Sequence, residues 1–239
     1  MGVASLYVEP DPTAGRQTWP ALECVDVFKL FRSGPVETVA LRGLDLRVEP
    51  GEFVAVLGRS GSGKSTFLQL AAGLDDASAG EVRAFGQSLS RLDERQLAAY
   101  RAKTIALVLQ SANLWNDLTA HENVVCSLRL AGVRDARRTA TETLTAFGLD
   151  RRAGHRPSDL SGGEQQRVAI AAAAARQARL VLADEPTGEL DAGNEQVVLD
   201  ALAKLRDMHG ATVVVVTHSR RVAEAADRVI SFSDGRVAA

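Results

Sequence analysis

The stretch Gly58-Arg59-Ser60-Gly61-Ser62-Gly63-Lys64-Ser65-Thr66 has the spacing of a loop that holds phosphate, G-x-x-x-x-G-K-[ST]. Glycines at those positions let backbone N–H groups converge on anionic oxygens without Cβ interference, and a helix starting directly behind them adds favourable partial charge. Lys64 is the residue that would reach the β- and γ-phosphates, and the Ser65 hydroxyl the one that would hold Mg²⁺. A second group sits at the end of Leu180-Val181-Leu182-Ala183-Asp184-Glu185. A buried parallel strand delivers its carboxylates at its C-terminal end, where α/β sheets place their ligands. Asp184 is thus positioned to hold Mg²⁺, and Glu185 to accept a proton from an attacking water or to orient it. A third group, Ser161-Gly162-Gly163-Glu164, opens an alanine-rich stretch. S-x-x-E is an ordinary capping box, but two glycines in a first turn weaken a helix, which makes sense where a phosphate must approach closely.

The elements that must position these groups are readable from pattern. Phe53 to Leu57 is a short apolar strand before the glycine loop, and Phe67 to Ala72 is helical until Gly73. Upstream, Leu22 to Phe31 and Val39 to Val48 predict strands of a small antiparallel layer, with Ser33-Gly34-Pro35 turning the first and Pro50-Gly51 closing the second. Gly80 to Gly86 predicts a short strand, Leu92 to Ala102 a helix, and Thr104 to Leu109 a β-branched strand ending at Gln110. From Leu118 to Phe147 the period turns helical, with Thr119 and Glu122 forming a capping box and a second helix running from about Asp135 to Phe147, stopped by Gly148. Alternation then resumes: helix Gly163 to Gln177, strand Leu180 to Ala183, helix Asp191 to Met208, strand Thr212 to Val216, helix Arg221 to Ala226, strand Val229 to Phe232. The expected fold class is therefore α/β, with a mainly parallel sheet, an N-terminal antiparallel β layer and an inserted α-helical subdomain at about 111–178. Residues 1–20 read as a flexible leader and 21–239 as one domain.

The bulk numbers narrow the function classes. The chain has 239 residues and a net charge of −2, with 46% hydrophobic and 24% charged residues. It can bury a real core, and its charge balance argues against a dedicated nucleic-acid binder. Cys24 and Cys126 lie far apart without metal-ligand spacing, as in a reducing compartment. The sequence has no apolar run long enough to cross a bilayer, and its first twenty residues lack the basic start and apolar stretch of a secretory signal. Seven arginines between Arg129 and Arg156 face only Asp135, Glu142 and Asp150, a basic surface suited to anionic lipid, to a partner, or simply to solvent. His121-Glu122-Asn123-Val124-Val125 begins like a zinc-protease helix but lacks the second histidine.

Taken together, the motifs resemble the ATP-binding cassette subunit of an ABC transporter over about residues 22–237. Leu160-Ser161-Gly162-Gly163-Glu164-Gln165-Gln166-Arg167 is similar to that family's signature, and the phosphate loop, Gln110, Asp184-Glu185, Leu190-Asp191 and His218 follow in the family's order. Glu185-Pro186-Thr187-Gly188, Asn113-Leu114 through Glu122-Asn123-Val124, and Arg156 to Leu160 resemble the macrolide-exporter and lipoprotein-release branch. The resemblance implies a P-loop NTPase core that binds ATP with Mg²⁺ and hydrolyses it. It implies two cassettes, identical or not, meeting head to tail, with Ser161, Gly162, Gly163 and Glu164 of one capping the nucleotide of the other. Glu185, His218 and Gln110 would be catalytic, with His218 on the γ-phosphate. Ser65, Gln110 and Asp184 would serve the metal, Asp191 the dimer contact, and Phe31 would stack on adenine where relatives more often use Tyr. It also implies integral membrane permease subunits docked beside Gln110, a peripheral location on the cytoplasmic face of the membrane, and no nucleic-acid partner.

Three positions depart from the family pattern. Ala172 stands where an Arg usually follows the signature helix, Leu109 where Phe often precedes the glutamine, and Ser219 where Asp is common after the histidine. Two other readings compete: a soluble ATPase of this class acting on DNA or ribosomes, and a regulatory cassette that binds ATP without turning it over. The first lacks the long coiled coils of the DNA-acting relatives and the tandem cassettes of the translation factors. Against the second, Glu185 and His218 are both present.

Overall fold

The computed structural model describes residues 19–34, 36–111 and 113–238; most of the expected leader lies outside the described residues. Strands β1 (Leu22–Ser33) and β2 (Val36–Val48) form an antiparallel pair. Strand β3 (Phe53–Gly58) leads through the glycine loop into helix α1 (Lys64–Ala71). Strands β4 (Ala79–Ala84) and β5 (Gln87–Ser88) and helix α2 (Glu94–Lys103) precede β6 (Ile105–Val108). Helices α3 (Ala120–Leu130), α4 (Ala136–Ala146) and α5 (Gly162–Ala175) follow. The chain then runs through β7 (Leu180–Asp184), α6 (Ala192–His209), β8 (Thr212–Thr217), α7 (Arg220–Ala225), β9 (Arg228–Ser233) and β10 (Arg236–Val237).

Two sheets result. One is antiparallel, in the order β2-β1-β4-β5, and is the N-terminal layer expected from sequence. The other runs β10-β9-β3-β8-β7-β6, parallel throughout except for the β10–β9 pair. Strand β8 is Thr-Val-Val-Val-Val-Thr and is buried at every residue, as a central parallel strand covered on both faces must be.

Pleating sends alternate residues of each parallel strand into two different cores. Val54, Val56, Leu180, Leu182, Val214 and Val216 pack towards α1 and the antiparallel layer. Phe53, Val181, Ala183, Val213 and Val215 pack towards the helices α3 to α6. That second apolar cluster continues without a break from Leu128 and Leu144 in the helical segment, through Ala171 and Ala173 to Ala175 of α5, to the sheet. The alanine run therefore lets α5 lie close to its neighbours, and packs the inserted helices and the strands into one core. Cys24 is buried in the first core, where burial pushes its thiol up to about 12 and leaves it chemically inert.

Local chemistry sets the helix starts. Asp93, Thr119 and Ser161 each cap a helix, with Gln96, Glu122 and Glu164 reaching back in reciprocal capping boxes. The first of these moves the start of α2 to Glu94, beyond the Leu92 expected from periodicity. Strand β1 is bent where Asp26 adopts φ 46°, and its register with β2 shifts between Cys24 and Val27. Among the basic surface residues, Arg138 pairs with Asp135 and Glu142, and Arg152 with Glu164.

Candidate active site

Strands β3, β8, β7 and β6 are consecutive neighbours, and all four present their C-terminal ends to the same edge of the sheet. The glycine loop follows β3, His218 follows β8, Asp184 and Glu185 end β7, and Gln110 lies just beyond β6. Four motifs scattered over 160 residues of sequence are thus delivered side by side by one structural rule.

Within the loop, Gly61 and Gly63 have φ of 79° and 98°, the left-handed region closed to most side chains. Gly58 is required for a different reason. A Cβ there would lie 2.4 Å from Ser62 Oγ and 2.7 Å from the Phe232 carbonyl. The Ser62 hydroxyl is buried without a hydrogen-bond partner, and Gly63, at the cap position before α1, offers no side-chain cap. Unsatisfied donors gathered at a helix start fit an anion such as a nucleotide phosphate. Lys64 is itself buried, its Nζ donating to the carbonyls of Gly58 (2.7 Å) and Arg59 (3.2 Å). The loop and Ser231 to Asp234 line an open cleft of about 460 Å³. Phe31 is not part of that lining; it stands exposed on β1 with the Lys29 ammonium 5.1 Å from its ring centre.

Asp184 is half-buried, and burial raises its pKa, opposed by the nearby Ser65 hydroxyl; the neighbouring Glu185 charge raises it further and Lys64 lowers it. Two hard oxygen donors brought close together, Ser65 and Asp184, fit Mg²⁺. Glu185 takes φ 45°, unusual for a residue with a Cβ, and its side chain is 16% exposed. Its Oε2 accepts the Thr217 hydroxyl at 2.9 Å and the His218 amide at 3.2 Å, while Oε1 lies 2.9 Å from His218 Nδ1. Glu185 and His218 therefore come together as one unit. Gln110 Nε2 donates to Glu189 at 3.1 Å, on the loop that leads to Asp191.

The signature turn has its own local reasons. Ser161 caps α5 with Glu164, and Arg152 binds the same carboxylate at 2.8 Å. The sequence leads one to expect both glycines to serve phosphate approach. The structure gives Gly163 a further role: a Cβ there would sit 2.8 Å from Asn194 Oδ1 on α6, and Asn194 is held by Asp191, the cap of that helix. Gly162 stays exposed, with only the flexible end of Leu190 nearby at 3.2 Å.

One residue of the signature stretch proves central. Gln166 is buried, and its Nε2 donates to the carbonyls of Leu109 and Gln110 at 2.8 Å each. Its Oε1 accepts from Asn113, which in turn both donates to and accepts from the Leu109 backbone. The signature helix thus grips the backbone of the Gln110 loop directly. His121, by contrast, contacts the Arg137 carbonyl and the Thr141 hydroxyl, and the described residues contain no cluster of three metal-ligating side chains.

This geometry agrees with similarity to known proteins. The family model for ABC transporter matches residues 41–188. The chain belongs to the ABC transporter family. An ABC transporter ATP-binding protein of Thermotoga maritima is 44% identical over 218 residues, covering 90% of this chain and 93% of that one. The macrolide export ATP-binding/permease protein MacB of Azoarcus sp. is 42% identical over 222 residues, 92% of this chain. The chain spans 34% of the length of that MacB relative. Among solved structures, the ATP-binding cassette MJ0796 superposes with a TM-score of 0.84 at 39% identity in a dimeric post-hydrolysis state bound to ADP and Pi, covering 91% of this chain and 97% of that one. As an ABC cassette the chain is an ATPase of the P-loop NTPase fold, with ATP and Mg²⁺ as its cofactors. No helix among the described residues is long and apolar enough to cross a membrane.

Proposed function

We propose that this cassette pairs with a second one around ATP and uses hydrolysis to move a membrane permease, in export, lipid or lipoprotein extraction, or force transmission. Backbone amides from Gly58 through Thr66 and the Lys64 ammonium hold the phosphates, once Lys64 exchanges its two carbonyl partners for phosphate oxygens. Ser65 and Asp184, with Gln110, hold the magnesium ion, which when bound neutralises charge on the phosphate oxygens. Glu185 takes the proton of the attacking water, and His218, whose Nδ1 is 2.9 Å from Glu185 Oε1, serves the γ-phosphate. Ser161 through Glu164 serve the partner's nucleotide, Asp191 the contact between cassettes, and Phe31 the adenine ring. The dimeric MJ0796 cassette supports the pairing. MacB, in which a cassette and a permease share one chain by name, supports the membrane partner.

The observation that carries this reading is the Glu185–His218–Thr217 unit beside Asp184, at the C-terminal ends of β7 and β8 on the same sheet edge as the glycine loop. Exposed Trp115 and Leu130 stand at the mouth of a cleft beside the Gln110 loop and suit an apolar partner segment. A cytoplasmic-face location follows for a cassette working against a permease. The test is Glu185→Gln, which keeps the hydrogen-bonding shape but removes the base. Turnover should fall by roughly 10²–10⁴ while ATP binding persists and an ATP-bound dimer accumulates in gel filtration. Unchanged steady-state turnover in that variant would refute the assignment.

A further inference from the structure

Glu195 lies in the first turn of α6, and its side chain is 13% exposed. Its Oε1 accepts the Ser219 hydroxyl at 2.6 Å, the length of a strong charge-assisted hydrogen bond. The same oxygen is 3.4 Å from the buried Thr187 hydroxyl, and Oε2 is 3.6 Å from the Arg221 guanidinium. One carboxylate therefore joins the segment leaving Glu185, the turn carrying His218 and the helix behind Asp191.

The connection onward to Glu185 is explicit. The Ser219 amide donates to Thr217 Oγ1 at 3.0 Å, so the Thr217 hydroxyl proton is left for Glu185 Oε2 at 2.9 Å. The His218 amide, between those two residues, donates to the same oxygen. Both bonds that hold Oε2 arise from a three-residue turn, and the side chain anchoring that turn on its far side is Ser219. The Ser219 hydroxyl accepts only at 3.5 Å, from Val222 N, so its short bond to Glu195 is the stronger tie.

We propose that Glu195 is a positioning residue of the hydrolytic site: by binding Ser219 it fixes the turn that aims Thr217 and His218 at Glu185. This rests on Glu185 and His218 being the hydrolytic pair. The device needs one acceptor oxygen at this point and does not need it to come from α6. An Asp at 219 would supply it from the turn itself while capping α7, but beside Glu195 it would place two carboxylates within hydrogen-bonding distance of each other.

The experiment measures kcat and KM for ATP hydrolysis by the full chain in five variants. Glu195→Ala should lower kcat about 10-fold with KM changed less than about 2-fold, because reacting groups are displaced rather than removed. Glu195→Gln, whose amide oxygen still accepts the Ser219 hydroxyl, should stay within about 3-fold of the parent. Ser219→Asp alone should also lose about 10-fold through repulsion. Combined with Glu195→Ala, it should recover to within about 3-fold of the parent. A purely structural role for Glu195 predicts no such recovery, so a double variant as slow as Glu195→Ala would overturn the proposal. So would parental kcat in Glu195→Ala. If Glu195→Ala does not fold, Ser219→Asp and its combination with Glu195→Gln decide alone: loss followed by recovery supports the role, and parental turnover in Ser219→Asp refutes it. Glu185→Gln serves as reference. If it is inactive while Glu195→Ala is unimpaired, only the positioning role fails; if it retains turnover, both readings fall together.

Discussion

Replacing Gln166 with Leu tests whether the signature helix holds the Gln110 loop through a single side chain. Leu is close to Gln in size, so the cavity contribution is small and the polar loss dominates. Three hydrogen bonds disappear: two donated to the carbonyls of Leu109 and Gln110, and one accepted from Asn113. The Leu109 carbonyl keeps the Asn113 amide at 2.6 Å, so the groups stranded are the Gln110 carbonyl and one Asn113 proton. Each costs about 1–3 kcal/mol when left unpaired, and partial access to water puts the sum near 2–4 kcal/mol. For a domain of this size that is a fall of about 5–10 °C in Tm. Differential scanning fluorimetry of the nucleotide-free protein measures it. Hydrogen exchange should report faster exchange at Leu109 and neighbouring amides, because Leu109 N relies on Asn113 Oδ1 at 2.7 Å. A Gln166→Leu protein that melts within about 1 °C of the parent, with unchanged exchange in this loop, would show that the network does not hold the two motifs together.

Gly163→Ala brings a Cβ to 2.8 Å from Asn194 Oδ1, and in urea denaturation it should cost about 1–3 kcal/mol. Adding Asn194→Ala should return part of that loss despite removing its bond to Asp191, and strict additivity would argue against the clash. Asp184 carries a pH dependence whose sign follows from its raised pKa: the folded state prefers the protonated acid, so its stability is complete below the ordinary value of 3.8 and is lost as pH rises through the higher folded value. Asp184→Asn should therefore raise the Tm of the nucleotide-free protein at neutral pH, with the gain vanishing towards acid, while abolishing Mg²⁺-dependent stabilisation by ATP. A lower neutral-pH Tm in Asp184→Asn would contradict this.

Most of the fold was legible because its strands are short, apolar and bounded by Gly or Pro, and because strands and helices alternate. Val213 to Val216 could be nothing but an interior strand. What failed were edges set by backbone geometry rather than by pattern. The final strand Arg236–Val237 is two exposed residues paired with β9 across Asp234 and Gly235, both at positive φ, and no hydropathic signal marks it. The bend at Asp26 is equally silent in sequence. Its positive φ brings its carbonyl to within 2.1 Å of where a Cβ on Gly80 would lie, so the informative residue is a glycine 54 positions away.

The candidate site divides along the same line. Residues that would touch nucleotide were readable because their spacing is dictated by the loop's own geometry: Gly61, Gly63 and Lys64 must fall where they do for the amides to converge. Residues that hold those loops in place obey no such local rule. Gln166 carried a weak signal, a long polar side chain on the face of α5 shared by Gly163 and Ile170, where burial obliges it to find partners. Glu195 carried less, since an acid in a first helical turn is ordinarily read as a favourable dipole contact. Only the fold reveals that its oxygen meets Ser219, 24 residues downstream. The two supports bind opposite ends of the site, Gln166 from the signature helix to the Gln110 loop and Glu195 from the helix behind Asp191 to the His218 turn. Asn194 closes the gap between them, packed against Gly163 on one side and bound to Asp191 on the other. The signature turn is thus linked to Glu185 and His218 by packing at Gly163 and by hydrogen bonds from there on.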